Sequence, residues 1–564
     1  MKKLMVMLLS LALIMGALAG CGKKDPAGTK DNGKGDGAKI EDGTGDAKSE
    51  TPLRLQWHQG IGIDTLFESP AKDLQSLYPY MIFDSLMMWD ASNTELVPSI
   101  AAKWTNNEDY TEFTVTIRDG VKWHDGEAMD VNDVAFSVNY YVANPNSSYA
   151  HFYQYVEGYE ALRNGEADSL FGMSVDGNVI TFKLSQAQAL FLNNLSGTYI
   201  LPEHLLGDME WADIDSSDYW TKPIGTGAFK IDKVKFPDYF TAVRNEEYWG
   251  EPAGIKNVEF VSYQAGGNDA AVAATINGEI DFATPKLVTD KTVADNMTGQ
   301  NGDLKTLIMN DYYIRCFTFN LGKRADGNEK KDLQKKEVRQ AFDLLIDQET
   351  IASFFGGQAT ASATLINPVG TEYNTDIPYV SKDVKAAKKL LDEAGFDYSS
   401  TIDIAYYYDD QTTHDIMSLI VQDFAEAGVK VNTILLSGDL STLIYTDCNY
   451  DLIYLAGGSA AIDQANYYSK CTSWTSYTMM GQVEERTALF DELMNAYNGT
   501  ADEEERKELA WELQARNYEY AYLLPAYILN NCVVYNTASV EIPEEAFEVS
   551  GGTYYRWQDW KMLK

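Results

Sequence analysis

Residues 118–134, RDGVKWHDGEAMDVNDV, gather one His, one Glu and four Asp within seventeen positions. Such side chains bind metals or exchange protons when their spacing brings them to one point. The spacing here points elsewhere. His124 has no second His nearer than His151, and the HExxH pattern of a helical zinc site is absent. Asp119-Gly120 and Asp125-Gly126 are turn pairs. Asp130 precedes Val134, Val138 and Tyr141 at helical spacing, so it reads as a helix cap. Asp133 then falls in the first turn, near the positive end of the helix dipole. Each Asp has a backbone task, and the stretch reads as architecture between a strand and a helix.

Other chemical signatures are weaker. Gly28, Gly33 and Lys34 imitate a phosphate-binding loop, but Gly35 stands where Ser or Thr must hold the metal. Gly60-Ile61-Gly62 is half of a dinucleotide fingerprint. There is no GxSxG and no zinc motif. A glycan-processing enzyme needs two carboxylates at a fixed separation, and no motif selects a pair among the 84 acidic residues. Cys316, Cys448, Cys471 and Cys532 are widely spaced with no CxxC, which speaks against zinc. Two disulfides in any of three pairings, or buried free thiols, both fit. No cofactor is implied.

The elements around these residues alternate between strand and helix, which predicts an α/β fold. Residues 53–60, 112–123, 178–184, 240–245 and 257–263 read as strands. In the second of these Phe113, Val115 and Ile117 share one face. Val338, Ala341, Phe342 and Leu345 form a helical stripe. So do Val384, Ala387, Leu391 and Ala394, with Gly395 as a left-handed stop. Ile416, Leu419, Ile420 and Phe424 make a third stripe, closed by Gly428, and Leu489, Phe490, Leu493, Met494 and Tyr497 a fourth. Thr500 and Glu503 predict a capping box for a helix through Leu509 and Leu513. A chain of 564 residues needs two or three domains, and no linker divides it after residue 50, so the domains are expected to interleave.

The net charge of −39 excludes nucleic acid as a partner, because phosphates repel such a surface. The N-terminus carries Lys2 and Lys3, then an apolar run over 4–20, then Leu18-Ala19-Gly20-Cys21. This is the anatomy of a secretion signal over 1–20. Its ending resembles the lipobox of bacterial lipoproteins, which implies diacylglyceryl attachment to Cys21. Residues 21–50 are Gly, Lys and Asp with little to bury, and are expected to form a disordered tether.

The stretch 101–138 resembles the signature of the family 5 extracellular solute-binding proteins, the peptide and nickel receptors of bacterial ABC importers. Further matches follow in the family's order. They are ILPEHLL (200–206), KPIGTGAFKI (222–231), RNEEYWG (244–250), INGEIDFA (276–283), EVRQAFDLLIDQETI (337–351), YDLIYLAGG (450–458) and YAYLLPAYILNNCVVYN (520–536). The resemblance implies a two-lobed periplasmic-binding-protein-like fold of the class II, cluster C type. Its first lobe would span 51–93, 205–308 and 528–564, an inserted domain 94–204, and the second lobe 309–527. Hinge crossings would fall near 304–310 and 523–527.

By that resemblance the protein is a monomeric, non-enzymatic receptor. It closes on a small solute and delivers it to an ABC permease in the membrane, which it touches only through its lipid. A peptide is the leading ligand; an oligosaccharide or a metal chelate on the same fold is the alternative. Relatives hold the peptide amine with an Asp just after the Tyr-Asp strand. Here Gly458 and Ser459 occupy that region, and the first carboxylate is Asp463, a few residues late and open to a second reading as a turn or cap residue. Gln59 and Ile61, in the loop after the first strand, face the cleft in relatives. Trp57, Trp89, Tyr263, Tyr454, Tyr467 and Tyr527 lie near elements that approach it, though each aromatic also suits a core.

Overall fold

Strand alternation and helix caps build this chain as its side-chain pattern requires. In the computed structural model the described residues are 51–57, 79–90, 95–145, 147, 149–263, 267–284, 287–288, 291–309, 314–322, 324–368, 370–457, 463–473, 478–481, 483–543 and 557–564. Glu112–Ile117 buries Phe113, Val115 and Ile117 on one face, as the alternation predicts. Asp130 caps the helix Val131–Ala143 in a capping box completed by Asp133. The helix Val384–Ala394 ends at Gly395 with φ 64°, and Gln411–Glu426 is followed by Gly428 at φ 86°. One cap differs from expectation. The helix Glu503–Tyr520 is capped by Asp502, which accepts from the Glu505 amide, while Thr500 Oγ1 donates to the Glu505 carboxylate. A carboxylate two residues later outcompetes the hydroxyl as acceptor for the first-turn amides.

Two large sheets organise the described residues. The first has seven strands in the order Leu304–Met309, Asn531–Asn536, Phe282–Ala283, Leu53–Trp57, Asn257–Ser262, Tyr239–Arg244 and Phe229–Lys235. The second has six, in the order Ala359–Thr360, Leu523–Leu529, Ile314–Phe319, Leu452–Gly457, Thr401–Tyr406 and Lys430–Leu435. A smaller four-stranded antiparallel sheet orders Ala101–Asn106, Glu112–Ile117, Val179–Lys183 and Met173–Asp176. The cores segregate accordingly: one large cluster lies within 314–528, and the others draw on residues before 310 and after 531. The chain leaves the first sheet at Met309, enters the second at Ile314, and returns between Leu529 and Asn531. Gln358 holds the return point, donating to the Asn530 carbonyl and accepting from its amide. The four Cys among the described residues are buried free thiols.

The opening His and Asp residues act as joints. His124 accepts from the Gly225 amide at Nδ1 (3.2 Å) and meets the Gly227 carbonyl at Nε2 (3.0 Å). Those partners assign Nε2–H as the protonated nitrogen of a neutral ring. Asp133 binds the amides of Asp130 and Glu203, both at 2.9 Å. Gly225 and Gly227 press against the backbone of residues 81–82, where a Cβ on Gly225 would fall 1.8 Å from the Ile82 carbonyl oxygen. Burial pushes the His124 imidazole down from 6.5 to about 4, although the Gly227 hydrogen bond works the other way. The folded state therefore favours the neutral ring. Its contribution is complete above about pH 6.5 and is lost as pH falls through about 4. Urea unfolding across that range should show declining stability with proton uptake, and His124→Gln should flatten this part of the profile.

Candidate functional site

In the second sheet Ile314–Phe319 runs antiparallel to both Leu452–Gly457 and Leu523–Leu529, while Thr401–Tyr406 lies parallel to Leu452–Gly457 and to Lys430–Leu435. The carboxyl ends of four strands therefore share the edge at which the chain enters from the first sheet. In the first sheet Leu53–Trp57 is parallel to Asn257–Ser262 and to Phe282–Ala283, and their carboxyl ends lie at the edge where Asn531 begins. Both sheets thus turn their strand ends toward the crossings, the position at which open α/β sheets take ligands.

The second sheet brings a tyrosine cluster to this edge. Tyr454 and Tyr527, both buried, join hydroxyl to hydroxyl. Tyr407 and Tyr408 do the same at 2.9 Å. Phe317 packs on Tyr454 with ring centroids 5.3 Å apart, and Phe355 on Tyr527 at 4.8 Å. Burial pushes the Tyr527 phenol up to about 12 and Tyr454 further. The half-buried guanidinium of Arg315 lies 4.7 Å over the Tyr408 ring. On the opposite face of that strand, Cys316 Sγ lies 3.1 Å from the Tyr467 hydroxyl, and the Lys470 ammonium sits 3.2 Å over the Tyr467 ring. Burial lowers the Lys470 pKa to about 7. A Cβ on Gly457 would fall 2.2 Å from the Tyr467 ring, so any side chain there would push that ring aside.

Asp463 is buried, at the start of the short 3-10 helix Gln464–Cys471, and its carboxylate does not cap that helix. It instead accepts from Asn193 Nδ2 at 3.4 Å. Beside it, Glu372 ties down this segment through the Ala465 amide (2.9 Å), Tyr497 (2.7 Å) and Arg506 (3.4 Å). Burial pushes Glu372 up to about 7, and the neighbouring Asp463 charge adds to the rise. Asn193 lies on the helix Phe191–Ser196, far from Asp463 in sequence. The same region touches the second core twice more: the Ala189 amide donates to the Asn498 carbonyl at 2.6 Å, and Leu190 packs against that core. Asp463 therefore stands at a seam between two parts of the chain.

Of the other residues singled out from sequence, Tyr263 is half-buried just past the strand Asn257–Ser262, and Trp57 ends the first strand. Gln59, Ile61, Gly458, Ser459 and Cys21 lie outside the described residues, as does the side chain of Trp57. Sequence reasoning missed Arg315, Tyr407 and Tyr408. The available signal was an arginine inside the apolar strand IRCFTF and a run of three tyrosines (406–408) at the end of the strand Thr401–Tyr406, two strands away in the same sheet. Among the described residues no group of three or more His, Cys, Asp and Glu is gathered for a metal.

Two sheets whose strand ends turn toward the chain crossings frame the site, and residues 95–478 match the profile of the bacterial extracellular solute-binding proteins, family 5 Middle. The chain belongs to that family, whose members are binding proteins rather than enzymes. Among curated relatives, the oligopeptide-binding protein AppA of Bacillus subtilis is 28% identical over 347 residues, covering 60% of this chain and 58% of that protein. The chain thus aligns with somewhat over half the length of that relative. Among solved structures, the ABC transporter substrate-binding protein CtaP of Listeria monocytogenes superimposes with a TM-score of 0.74 at 20% identity, over 92% of this chain and 100% of the other. Lactococcal OppA, complexed with an endogenous peptide in the closed conformation, gives 0.73 at 19% identity, over 91% and 100%. The two-lobed fold follows from these likenesses.

Proposed function

We propose that this protein is the peptide-binding receptor of an ABC importer, which captures an oligopeptide between its lobes and hands it to a membrane permease. The observation that carries the reading is the pair of sheets whose strand ends face the chain crossings, on a family whose relatives include oligopeptide-binding proteins. The assignment of 51–93, 205–308 and 528–564 to one lobe, 94–204 to an inserted domain and 309–527 to the other belongs to this proposal. So do secretion by residues 1–20, lipid attachment at Cys21, a monomeric state and the absence of enzymatic chemistry.

A peptide main chain lies in such a cleft as an added strand. Gln59, Ile61, Gly458 and Ser459 are the residues we assign to it, with Trp57, Tyr263, Tyr454 and Tyr527 as the aromatic surround. Asp463 stands at the seam, where a carboxylate meets a ligand amine as the lobes close. Asp463→Ala should weaken peptide binding at least about tenfold by titration calorimetry. Unchanged affinity removes that role. The function itself is tested by native mass spectrometry of the purified protein with a random peptide library, an oligosaccharide mixture and a nickel–histidine chelate. Retention of peptides alone is expected; retention of either other class in their place overturns the reading.

A further inference from the structure

Every other arginine among the described residues donates to a carbonyl or a carboxylate. Arg315 does neither among those residues. It is the second residue of the strand that enters the second sheet from the crossing, opposite Ala456 on one side and Tyr527 on the other.

Its neighbours in the cluster are neutral tyrosine hydroxyls, which donate as well as accept. A guanidinium carries five N–H donors and no acceptor. In each hydroxyl pair, Tyr407–Tyr408 and Tyr454–Tyr527, one proton is used in the mutual bond and the other remains to donate. The acidic group that bears on the cluster is Asp410, which is felt at Tyr527. Its carboxylate is already occupied, accepting from the Thr413 amide at 2.9 Å and the Thr413 hydroxyl at 2.8 Å. Among the described residues this partly buried cation has no counter-ion, and with spare hydroxyl donors beside it at the strand-end edge it matches a planar anion that accepts two parallel hydrogen bonds.

We propose that Arg315, with Tyr408, Tyr454 and Tyr527 around it, is a carboxylate-binding subsite of the cleft, so that the preferred peptide presents an anionic group there. The proposal rests on the peptide reading of the cleft. The carboxylate has two sources, the chain end or an Asp or Glu side chain.

The test exposes the full-length protein to random hexapeptides in three forms: free acids, C-terminal amides, and amides lacking Asp and Glu. Retained members are sequenced by mass spectrometry and their Kd measured by calorimetry. Wild type should favour carboxylate-bearing peptides at least about tenfold over the neutral amides. Retention of free acids alone names the chain end; retention of Asp- and Glu-bearing amides names the side chain. Arg315→Gln should raise Kd for the best peptide about thirtyfold or more and abolish the preference. Arg315→Lys should restore part of it. If Arg315→Gln fails to fold, the wild-type preference alone decides. Equal wild-type affinity for acids and neutral amides, or an unchanged Kd in Arg315→Gln, overturns the subsite and leaves the peptide reading standing. Retention of no peptide from any library overturns both.

Discussion

Arg324→Met is expected to destabilise the part of the chain built on the six-stranded sheet by about 3–5 kcal/mol, the cost of stranding a buried charge. One guanidinium nitrogen of Arg324 bonds both Asp403 and Asp451 at 3.0 Å, and the other reaches Asp326 at 2.8 Å. Asp451 retains 2% side-chain exposure and, among the described residues, keeps the Asp403 amide (2.8 Å) as its further hydrogen-bond partner. Without the arginine, two carboxylates face each other across adjacent strands, one of them out of water. Burial already raises the Asp451 pKa, with Arg324 among the groups that hold it back. The variant should therefore regain stability as pH falls and Asp451 takes up a proton. Urea unfolding at neutral and mildly acidic pH measures both parts. A loss below about 1 kcal/mol would mean that the lobe relaxes around the gap. Asp451 immediately precedes the strand that carries Tyr454, so loss of ligand binding should accompany the unfolding.

The second large effect is expected from Asp84→Ala. Asp84 accepts from Thr226 Oγ1 at 2.8 Å, Trp249 Nε1 at 2.9 Å and the Tyr248 hydroxyl at 3.1 Å. Two separate segments, at 226 and at 248–249, meet on this one buried carboxylate. Its removal takes the acceptor from an indole N–H and two hydroxyls, and a buried donor left unsatisfied costs about 1–3 kcal/mol, with less than full additivity. A total of about 3 kcal/mol or more is expected in urea unfolding. Asp84→Asn should cost less, because its amide oxygen still accepts while its NH₂ faces a donor. Equal losses in the two variants would show that packing volume, and not the hydrogen bonds, holds this joint.

These networks explain which parts were legible in the sequence. The family-like motifs are joints: Asp281 of INGEIDFA binds Arg54 at 3.0 Å, and Arg339 of EVRQA donates to the carbonyls of Leu333, Gln334 and Tyr520. Asp451 of YDLIY binds Arg324. Each joint needs a particular residue at a particular backbone position, so it leaves a recognisable pattern, and the fold followed from those patterns. His124 and Asp133 likewise declared themselves as architecture through their turn and cap spacing.

The residues assigned here to the ligand leave no such mark. Arg315 and Tyr408 lie 93 residues apart and meet only because one strand begins and the other ends at the same edge. Asp463 meets Asn193 across 270 residues. Local periodicity does not encode a contact of that kind. Tyr454 and Tyr527 were singled out as cleft aromatics with a core alternative, and both are buried while their hydroxyls join at the strand-end cluster.

The central claim is that the two lobes close around a peptide. Small-angle X-ray scattering of the purified protein, stripped of ligand and then saturated with a peptide retained from the library, tests it directly. Closure predicts a smaller radius of gyration and a shortened maximum dimension on binding. Identical scattering curves, with binding confirmed by calorimetry on the same sample, would contradict the account.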